Sequence, residues 1–563
     1  MKRLVYATGF LGFGLGLGLA ITAGFLVSAL QPDGPAVFRV APSVVYASPS
    51  SSGFNPGLDR GLTSGSTSGT PIGIPRTPAE ESGWMVLSSH QAVLDFYREL
   101  EVESPWTRVF HLGWSGQRRE LLAVTIAKPA VSSPEEARAS GKPIVFIAAQ
   151  AHGDEPAGKE GLMLFARDLT MGPLQPLLDQ LVFVLVPQIN PDGGEAGAWG
   201  IRENSAGADL NRDYVLLQSP EVRAVVTQGI TRWNPHVIVD AHEALGPPRW
   251  YDFYTSYPRN EYGPSAIVRF TEKEALPALV NAMAAEGFTH FFYHTIPSGL
   301  ARDPSLGITR AGGGAQTLSS YGGGAGAVTF LFETLRPTDA RVGMERRARM
   351  QWTAMTALSE YIAKNATRVL ETTAEAEREM ISRGITPNPA DSVFVRTQYR
   401  VSRHEPYRIR DGSGVVEINV AIRDSIQPLK GYPRPEAYIL PPERADIATH
   451  LSLHGIEVEE VREPVRLPVE CYRIDGVSLL DPAESPIERN YQLTVVEQEI
   501  EFPAGSWIVR TAQKRAGLAI HMLEPEDLES LATSGWFRGM ESPGELLPVY
   551  RVPALPPGET VPR

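Results

Sequence analysis

The stretch of sequence that decides the fold is IVFIAAQAHGDEPAG, residues 144–158. Its first six residues are apolar, with β-branched and aromatic side chains among them, and a polar turn containing glycine follows directly. A short apolar run of this kind is typical of a strand that helices cover on both faces. We therefore expect residues 150–158 to lie just beyond the carboxyl end of a buried strand.

Three further apolar runs, at residues 181–186, 237–239 and 327–332, are similar, and helical patterns at 159–169 and 219–232 lie between them. Strands that alternate with helices predict an α/β fold with a mixed, mainly parallel sheet flanked by helices. In such sheets the ligand crevice lies beyond the carboxyl ends of the strands. The residues that follow these runs are the first candidates for a functional site.

Metal-ligating side chains follow two of the runs. His152 and Glu155 stand in HGDE after the first run, and His242 ends the third in VDAHEA. Two imidazoles and one carboxylate are the ligand set of a catalytic zinc site, which leaves a coordination position open for water. These residues predict one zinc ion per chain.

A lone carboxylate, Glu333, ends the fourth run in FLFETLRP. Burying its charge is costly unless it has a partner or a function. Arg336, three residues further on, points to the opposite face of a strand and is a poor partner. Beside an activated water molecule, Glu333 fits a general base that takes a proton and returns it to the leaving amine.

A glycine-rich loop, NPDGGEAGAWGIRENSAGADLNRDY at residues 190–214, supplies Arg202, Asn211 and Arg212. The guanidinium group has a fixed fork of donors that suits a carboxylate or the oxyanion of a tetrahedral intermediate. The loop is therefore a candidate for substrate binding.

Taken in order, HGDE, NPDG, DLNRD, the histidine of VDAHEA and the glutamate of FLFE resemble the motifs of the zinc carboxypeptidase family, the carboxypeptidase A/B-like metallopeptidases. The resemblance spans roughly residues 96–363. It implies that His152, Glu155 and His242 bind zinc and that Glu333 is the general base.

The same resemblance implies roles for the loop. Arg202 corresponds to the arginine that stabilises the oxyanion, and Asn211 with Arg212 corresponds to the pair that holds the terminal carboxylate of the substrate. The family also has a mobile tyrosine upstream of the catalytic glutamate, and the nearest candidate is Tyr321, 12 residues before Glu333. The glycine-rich run at 312–326 prevents an ungapped alignment, so the preferred terminal residue cannot be inferred from the sequence.

The flanking segments predict export and a second domain. Lys2 and Arg3 precede an uncharged stretch at 4–30 that is long enough to span a bilayer, which predicts a signal peptide or an N-terminal membrane anchor at 1–30. A Ser/Gly/Pro-rich flexible linker at 31–80 leads to a catalytic domain at 81–385, which ends in a long helix from about 344 to 382. Residues 386–563 alternate in short strands, with one helical signal at 444–454, and predict a β-rich C-terminal domain.

The composition restricts the partners. The 65 acidic residues exceed the 52 basic ones, giving a net charge of −13 that disfavours nucleic acid. The single cysteine, Cys471, excludes an internal disulfide framework and a cysteine-based zinc ribbon. The expected partner is a peptide with a free C-terminus, together with a membrane if the N-terminal segment is not cleaved. The catalytic domain then lies outside the cytoplasm, either anchored or as a secreted or periplasmic protein.

The expected function is that of a zinc-dependent metallocarboxypeptidase. Two alternatives remain open at this point. One is a zinc-dependent amidase or deacylase on the same scaffold, acting on cell-wall peptides or N-acyl amino acids. The other is a peptide-binding module that has lost catalysis.

Overall fold

The structure is a computed structural model that describes residues 75–555, apart from 260–261, 386–387, 389, 413 and 481–487. The predicted signal or anchor at 1–30 and all but the last few residues of the predicted linker lie outside the described residues. Within the described ranges, no helix combines the length and the apolar character that a membrane span requires. The described residues all belong to one compact unit.

Within the part of the chain that the structure describes, ten strands precede the predicted C-terminal region. They are, in chain order, β1 (Thr107–Trp114), β2 (Glu120–Ile126), β3 (Ile144–Ala149), β4 (Val182–Val186), β5 (Val237–Leu245), β6 (Phe253–Ser256), β7 (His290–Phe292), β8 (His294–Thr295), β9 (Ile308–Arg310) and β10 (Val328–Arg336).

Helices separate most of these strands. The α-helices are α1 (Pro78–Glu81), α2 (His90–Glu103), α3 (Pro134–Ala139), α4 (Ala157–Met171), α5 (Pro191–Gly194), α6 (Pro220–Ala224), α7 (Ser265–Phe270), α8 (Leu276–Ala285), α9 (Leu318–Gly324), α10 (Met344–Lys364), α11 (Ala366–Ile385), α12 (Ala445–Leu453) and α13 (Ala516–Leu523). π-helical turns, Val225–Thr231 and Thr271–Ala275, follow α6 and α7, and 3₁₀ turns occur at Gln175–Asp179, Leu210–Arg212, Pro304–Leu306 and Pro442–Arg444.

Eight strands form the central sheet, in the order β1-β2-β4-β3-β5-β10-β6-β7. The middle strands β4, β3, β5 and β10 are parallel, whereas β1, β2 and β6 join through antiparallel pairs. Alternate residues of β3 enter two different apolar clusters: Val145 and Ile147 pack on one face, and Ile144 and Phe146 on the other. The predicted mixed α/β sheet with both faces buried is confirmed.

The later strands form a hairpin and a second sheet. They are β11 (Ser392–Asp411), β12 (Gly414–Pro433), β13 (Ala437–Leu440), β14 (Glu459–Glu460), β15 (Val465–Leu479), β16 (Arg489–Phe502), β17 (Trp507–Arg510) and β18 (Leu546–Val552). The hairpin β11–β12 joins β9 and β8 in a four-stranded sheet, and the other six strands form a sheet in the order β14-β17-β13-β18-β15-β16.

The hairpin ties the C-terminal region to the segment before β10. Strand β12 pairs in parallel with β9, with Ile422 opposite Ile308 and Arg423 opposite Thr309. The apolar cluster that covers Phe146 also continues into Leu518 of α13. The C-terminal region therefore packs directly against the central sheet and its loops.

Two details differ from the sequence predictions. The long helix expected at 344–382 is two helices, because the chain departs from helical geometry at Asn365, where α10 ends. The β-rich region also holds a second helix, α13, whose eight residues are all buried. Because that helix is apolar apart from His521, it lacks the amphipathic pattern that would have distinguished it from a buried strand.

Candidate metal centre and active site

Three neighbouring strands bring the predicted ligands together. His152 follows the end of β3 by three residues, and His242 lies in β5, where Ala241 pairs with Ala149 of β3. Glu333 lies in β10 directly opposite His242. The parallel register of β3, β5 and β10 thus places all four functional side chains at one edge of the sheet.

The ligand atoms converge. Nδ1 of His152 lies 2.8 Å from Oε1 of Glu155, Nδ1 of His242 lies 2.8 Å from Oε2 of Glu155, and the two Nδ1 atoms are 3.1 Å apart. One ligand atom from each residue lies within 4.8 Å of the others, and all three residues are buried. They form a group that can hold a metal ion.

Each histidine is backed by a second carboxylate. Nε2 of His152 lies 3.0 Å from Oδ1 of Asp209, and Nε2 of His242 lies 2.9 Å from Oδ1 of Asp240. A carboxylate accepts a hydrogen bond, so we assign the ring proton to Nε2 in both histidines. Both aspartates lie inside quoted motifs, DLNRD and VDAHEA, yet the sequence reasoning assigned them no role.

This arrangement fits a cation. With the protons on Nε2, both Nδ1 atoms present lone pairs to each other and to the Glu155 carboxylate. Lone pairs at such distances repel one another unless a proton or a metal ion lies between them. Nitrogen and oxygen donors in this number are those of a zinc site with an open position.

Burial and charge shift the protonation of these ligands in the absence of a metal. Burial alone would lower the pKa of His152 and of His242, but the carboxylates of Glu155 and of Asp209 or Asp240 outweigh it and raise both. Burial would raise the pKa of Glu155, and the two imidazoles instead hold it well below its usual range. The cluster therefore favours positive charge between its carboxylates.

Glu333 is a buried acidic group on which His242 and Arg249 act electrostatically without forming an ion pair. It is 5% exposed, lines the cavity in front of the ligands, and makes no hydrogen bond or ion pair with any described residue. Burial and the charge of Glu155 raise its pKa to about 7. Arg336 pairs with Asp154 at 2.7 Å, which agrees with the expectation that it is not the ion-pair partner of Glu333.

Arg202 and Asn211, from the glycine-rich loop, lie beside the two histidines. Nη1 of Arg202 lies 3.2 Å from Nδ1 of His152, and its Nη2 donates to Asp209 at 2.9 Å. The amide nitrogen of Asn211 lies 3.1 Å from Nε2 of His242, while its oxygen accepts from the backbone N–H of Leu318 at 3.0 Å.

Arg212 is exposed and also lines the cavity, but Tyr321 does not. Tyr321 is fully buried, with its hydroxyl 3.0 Å from Nδ1 of His454. This placement does not fit the substrate-binding role expected from the sequence.

Two cavity residues were missed by the sequence reasoning. The guanidinium carbon of Arg249 lies 4.8 Å from the ring centre of Tyr293 and 5.1 Å from that of Tyr254, and its Nη2 donates to the carbonyl of His294 at 2.7 Å. The charge of Glu333, followed by burial, raises the pKa of Tyr293. Neither residue stands in a recognisable motif.

The cavity has a volume of about 890 Å³. Besides the ligands and loop residues, its walls include hairpin residues such as Val395 and Ile426 and the segment Asp527–Glu529. Strands predicted to belong to a separate domain therefore form part of the cleft.

The chain is similar to several known proteins. Residues 93–285 match the family model described as zinc carboxypeptidase. Carboxypeptidase 2 of Trichophyton tonsurans is 25% identical over 477 residues, covering 81% of this chain and 85% of the relative. Human carboxypeptidase D is 34% identical over 116 residues, covering 15% of this chain and 8% of the relative. The crystal structure of carboxypeptidase A from Helicoverpa armigera superimposes with a TM-score of 0.39 and 15% identity, covering 50% of this chain and 75% of that one.

The matching domain and the curated relatives identify the protein as a metallopeptidase. More closely, the domain that contains residues 93–285 is similar to zinc carboxypeptidases. The matched residues include His152, Glu155 and His242 but end before Glu333. Zinc is the metal that the family description implies.

Proposed function

We propose that the protein is a zinc-dependent metallocarboxypeptidase that hydrolyses the last peptide bond of a substrate with a free C-terminus. The observation that carries the proposal is the unpaired Glu333 carboxylate opposite His242 in the register of β10 and β5. A buried carboxylate with a raised pKa beside a metal-ligand cluster suits proton transfer.

One zinc ion held by His152, Glu155 and His242 would polarise the scissile carbonyl and acidify a water molecule. Glu333 accepts the proton of the attacking water and later delivers it to the leaving amine. Its pKa of about 7 in the metal-free cluster will fall when a cation is bound nearby, which keeps the carboxylate ionised at neutral pH.

Two groups of donors orient the substrate. Arg202, fixed by Asp209 beside the ligands, donates to the oxyanion that develops on the carbonyl. Asn211 and Arg212, whose Nη1 also donates to the backbone carbonyl of Asn211 at 2.7 Å, receive the terminal carboxylate. Tyr321 has no part in this assignment, because its hydroxyl is used by His454.

The natural substrate is proposed to be a peptide outside the cytoplasm, in keeping with the uncharged N-terminal stretch at 4–30. The net charge of −13 remains an argument against a nucleic-acid partner.

The decisive variant is Glu333→Gln, which removes the base but preserves the size of the side chain. We expect it to retain one equivalent of zinc by metal analysis and to lose at least about 10²-fold in kcat on a blocked peptide with a free C-terminus. The matched control is Glu501→Gln, an exposed carboxylate paired with Arg466. Retention of most activity in Glu333→Gln would refute the assignment of the base.

The substrate class is tested with peptides whose C-terminus is free or amidated. A carboxypeptidase releases the last residue only from the free form, because the terminal carboxylate is part of its recognition. Hydrolysis of both forms would instead favour the amidase or deacylase. Stoichiometric zinc without any hydrolysis would favour the binding module.

A further inference from the structure

One end of the cavity has a floor close to Glu333, formed by Leu331 and Ser256. In the central sheet, Leu331 pairs with Asp240 on one side and with Ser256 on the other, two residues before the row that holds Glu333. Residues two positions apart in a strand, such as Leu331 and Glu333, are separated by about 7 Å, and their side chains lie on the same face. Leu331 and Ser256 line the cavity, so they form a floor one step below Glu333.

The terminal residue of the proposed substrate lies next to this floor. The Asn211 amide accepts from Leu318 at the start of α9, and the backbone N–H of the following residue, Ser319, donates to Asp240 at 3.3 Å. Ser319 also lines the cavity. In the proposed mode of binding, a substrate whose carboxylate is held by Asn211 and Arg212 places its last side chain in the same cavity that Ser256 and Ser319 line.

Gly312 lies against this floor, and two arginines, Arg259 and Arg310, lie beside it. A Cβ atom on Gly312 would lie 3.2 Å from Oγ of Ser256 and 2.3 Å from the carbonyl of Tyr257, so no side chain fits there, and its φ is +115°. The carbonyl of Gly312 accepts from the backbone N–H of Arg259 at 2.6 Å. Arg310, two residues before Gly312, has its guanidinium carbon 4.9 Å from the ring centre of Tyr257.

Neither arginine has an acidic partner among the described residues. Arg259 donates through Nη2 to the backbone carbonyl of Asp424, and its Nη1 is buried without a partner. Arg310 has a buried Nε without a partner and is held between the rings of Tyr257 and Phe292. Burial is the main cause that lowers the pKa of Arg310, and Tyr257 opposes it. Arg259 adds to the lowering, which indicates that the two cations are close together, while Asp424 and Glu272 act against it.

The carboxylates of Asp527 and Glu529, which also line the cavity, already have hydrogen-bond or ion-pair partners. Asp527 accepts from the hydroxyl of Tyr262 at 2.8 Å and pairs with His521 at 3.1 Å. Glu529 accepts from the backbone N–H groups of Ala315 and Gln316. Burial alone would lower the pKa of His521, but these two carboxylates raise it to about 10, so its positive charge offsets part of theirs.

The charges of Asp424 and Glu272 act on Arg310 but form no ion pair with it among the described residues. Two partly buried cations without a directly paired carboxylate are costly unless an anion binds to them. We propose that Arg259 and Arg310 form an anion-binding subsite that selects substrates whose terminal residue is Asp or Glu. The inference rests on the proposed carboxypeptidase function and specifies its substrate class. The rigid aromatic sandwich around Arg310 suits a bidentate contact with a side-chain carboxylate.

The test compares blocked peptides that differ only in a terminal Glu, Gln, Lys or Phe. We expect kcat/KM for Glu to exceed that for the isosteric Gln by about tenfold or more, as charge-assisted hydrogen bonds allow. Arg310→Gln and Arg259→Gln should each reduce this ratio, and the double variant should bring it to about one. Arg310→Glu should shift the preference towards Lys. Arg466→Gln, at an exposed ion pair of the second sheet, is the control and should keep the wild-type ratio.

A binding measurement separates this inference from the proposed function. The zinc-loaded Glu333→Gln protein is titrated calorimetrically with the Glu and Gln peptides, and the Glu peptide should bind about tenfold more tightly. Thermal melting identifies any arginine variant that fails to fold, and Arg310→Lys then replaces it. Equal affinities for the two peptides, or a Glu/Gln ratio unchanged in the double variant, would overturn the anion subsite. Tighter Glu binding without any hydrolysis by the wild type would support the subsite while refuting the proposed function.

Discussion

Nε2 of His152 lies 3.0 Å from Oδ1 of Asp209, and this contact directs Nδ1 of the same ring at Glu155 and His242. Asp209 also holds Arg202 at 2.9 Å. One carboxylate thus orients both a candidate metal ligand and the candidate oxyanion donor. Because the loop at 190–214 supplies it, the loop contributes to the candidate metal centre as well as to the proposed substrate binding.

Replacement of Asp209 by Asn should weaken zinc binding by about 10- to 100-fold, because the amide is a poorer acceptor for the imidazole proton. The dissociation constant is measured by competition with a chelator of known affinity. Asp179→Asn, at an exposed ion pair with Lys128, is the control and should leave the affinity unchanged. An unaltered affinity in Asp209→Asn would contradict the assigned proton position.

Zinc binding should release protons and become tighter as the pH rises. The pKa values of His152 and His242 are raised in the metal-free cluster, so protonated imidazoles stabilise the metal-free protein up to those raised values. Metal binding requires the neutral rings and so competes with this protonation. Calorimetry in buffers of different ionisation enthalpy counts the protons released at pH 7. No release at that pH would show that the rings are already neutral.

Arg249→Gln should move the acid limb of the kcat/KM profile to higher pH. The positive charge of Arg249 lowers the pKa of Glu333, against the larger effects of burial and Glu155, and its removal favours the protonated, inactive base. The measurement is a pH profile of kcat/KM for the wild type and the variant. Arg341→Gln, on an exposed turn with Asp339, should leave the limb in place. A limb that moves to lower pH would exclude this role for Arg249.

The sequence predicted the central sheet and the ligands because each signal was local. The apolar run at 144–149 and the HGDE that follows it are enough to place His152 and Glu155 at a strand end. Arg259 and Arg310 carry no such signal, since their meeting depends on the register of β10 with β6 and on the turn at Gly312. The part of the C-terminal region in the cleft was also not predictable, because β12 and β9 pair across more than a hundred residues.

Tyr321→Phe tests the role that the sequence suggested for this tyrosine. We expect kcat/KM to stay within about twofold of the wild type, because the hydroxyl contacts Nδ1 of His454 rather than the cavity. The free energy of unfolding should fall by about 1–3 kcal/mol, since the variant leaves a buried ring nitrogen without its partner. Denaturant unfolding and steady-state kinetics measure the two effects. A large loss of activity with unchanged stability would support the substrate-binding role that the sequence suggested for Tyr321.

Glu529 belongs to the C-terminal region, and its replacement by Ala should impair substrate binding. The Glu529 carboxylate accepts from the backbone N–H groups of Ala315 and Gln316, which belong to the glycine-rich segment at the cavity floor. Without it, the two N–H groups lose their partners, which costs about 1–3 kcal/mol and loosens the segment. We expect KM to rise several-fold while kcat changes less, because Glu333 and the ligands lie on other elements. Glu501→Ala is the exposed control. If KM is unchanged and only the melting temperature falls, the C-terminal region stabilises the fold without shaping the cleft.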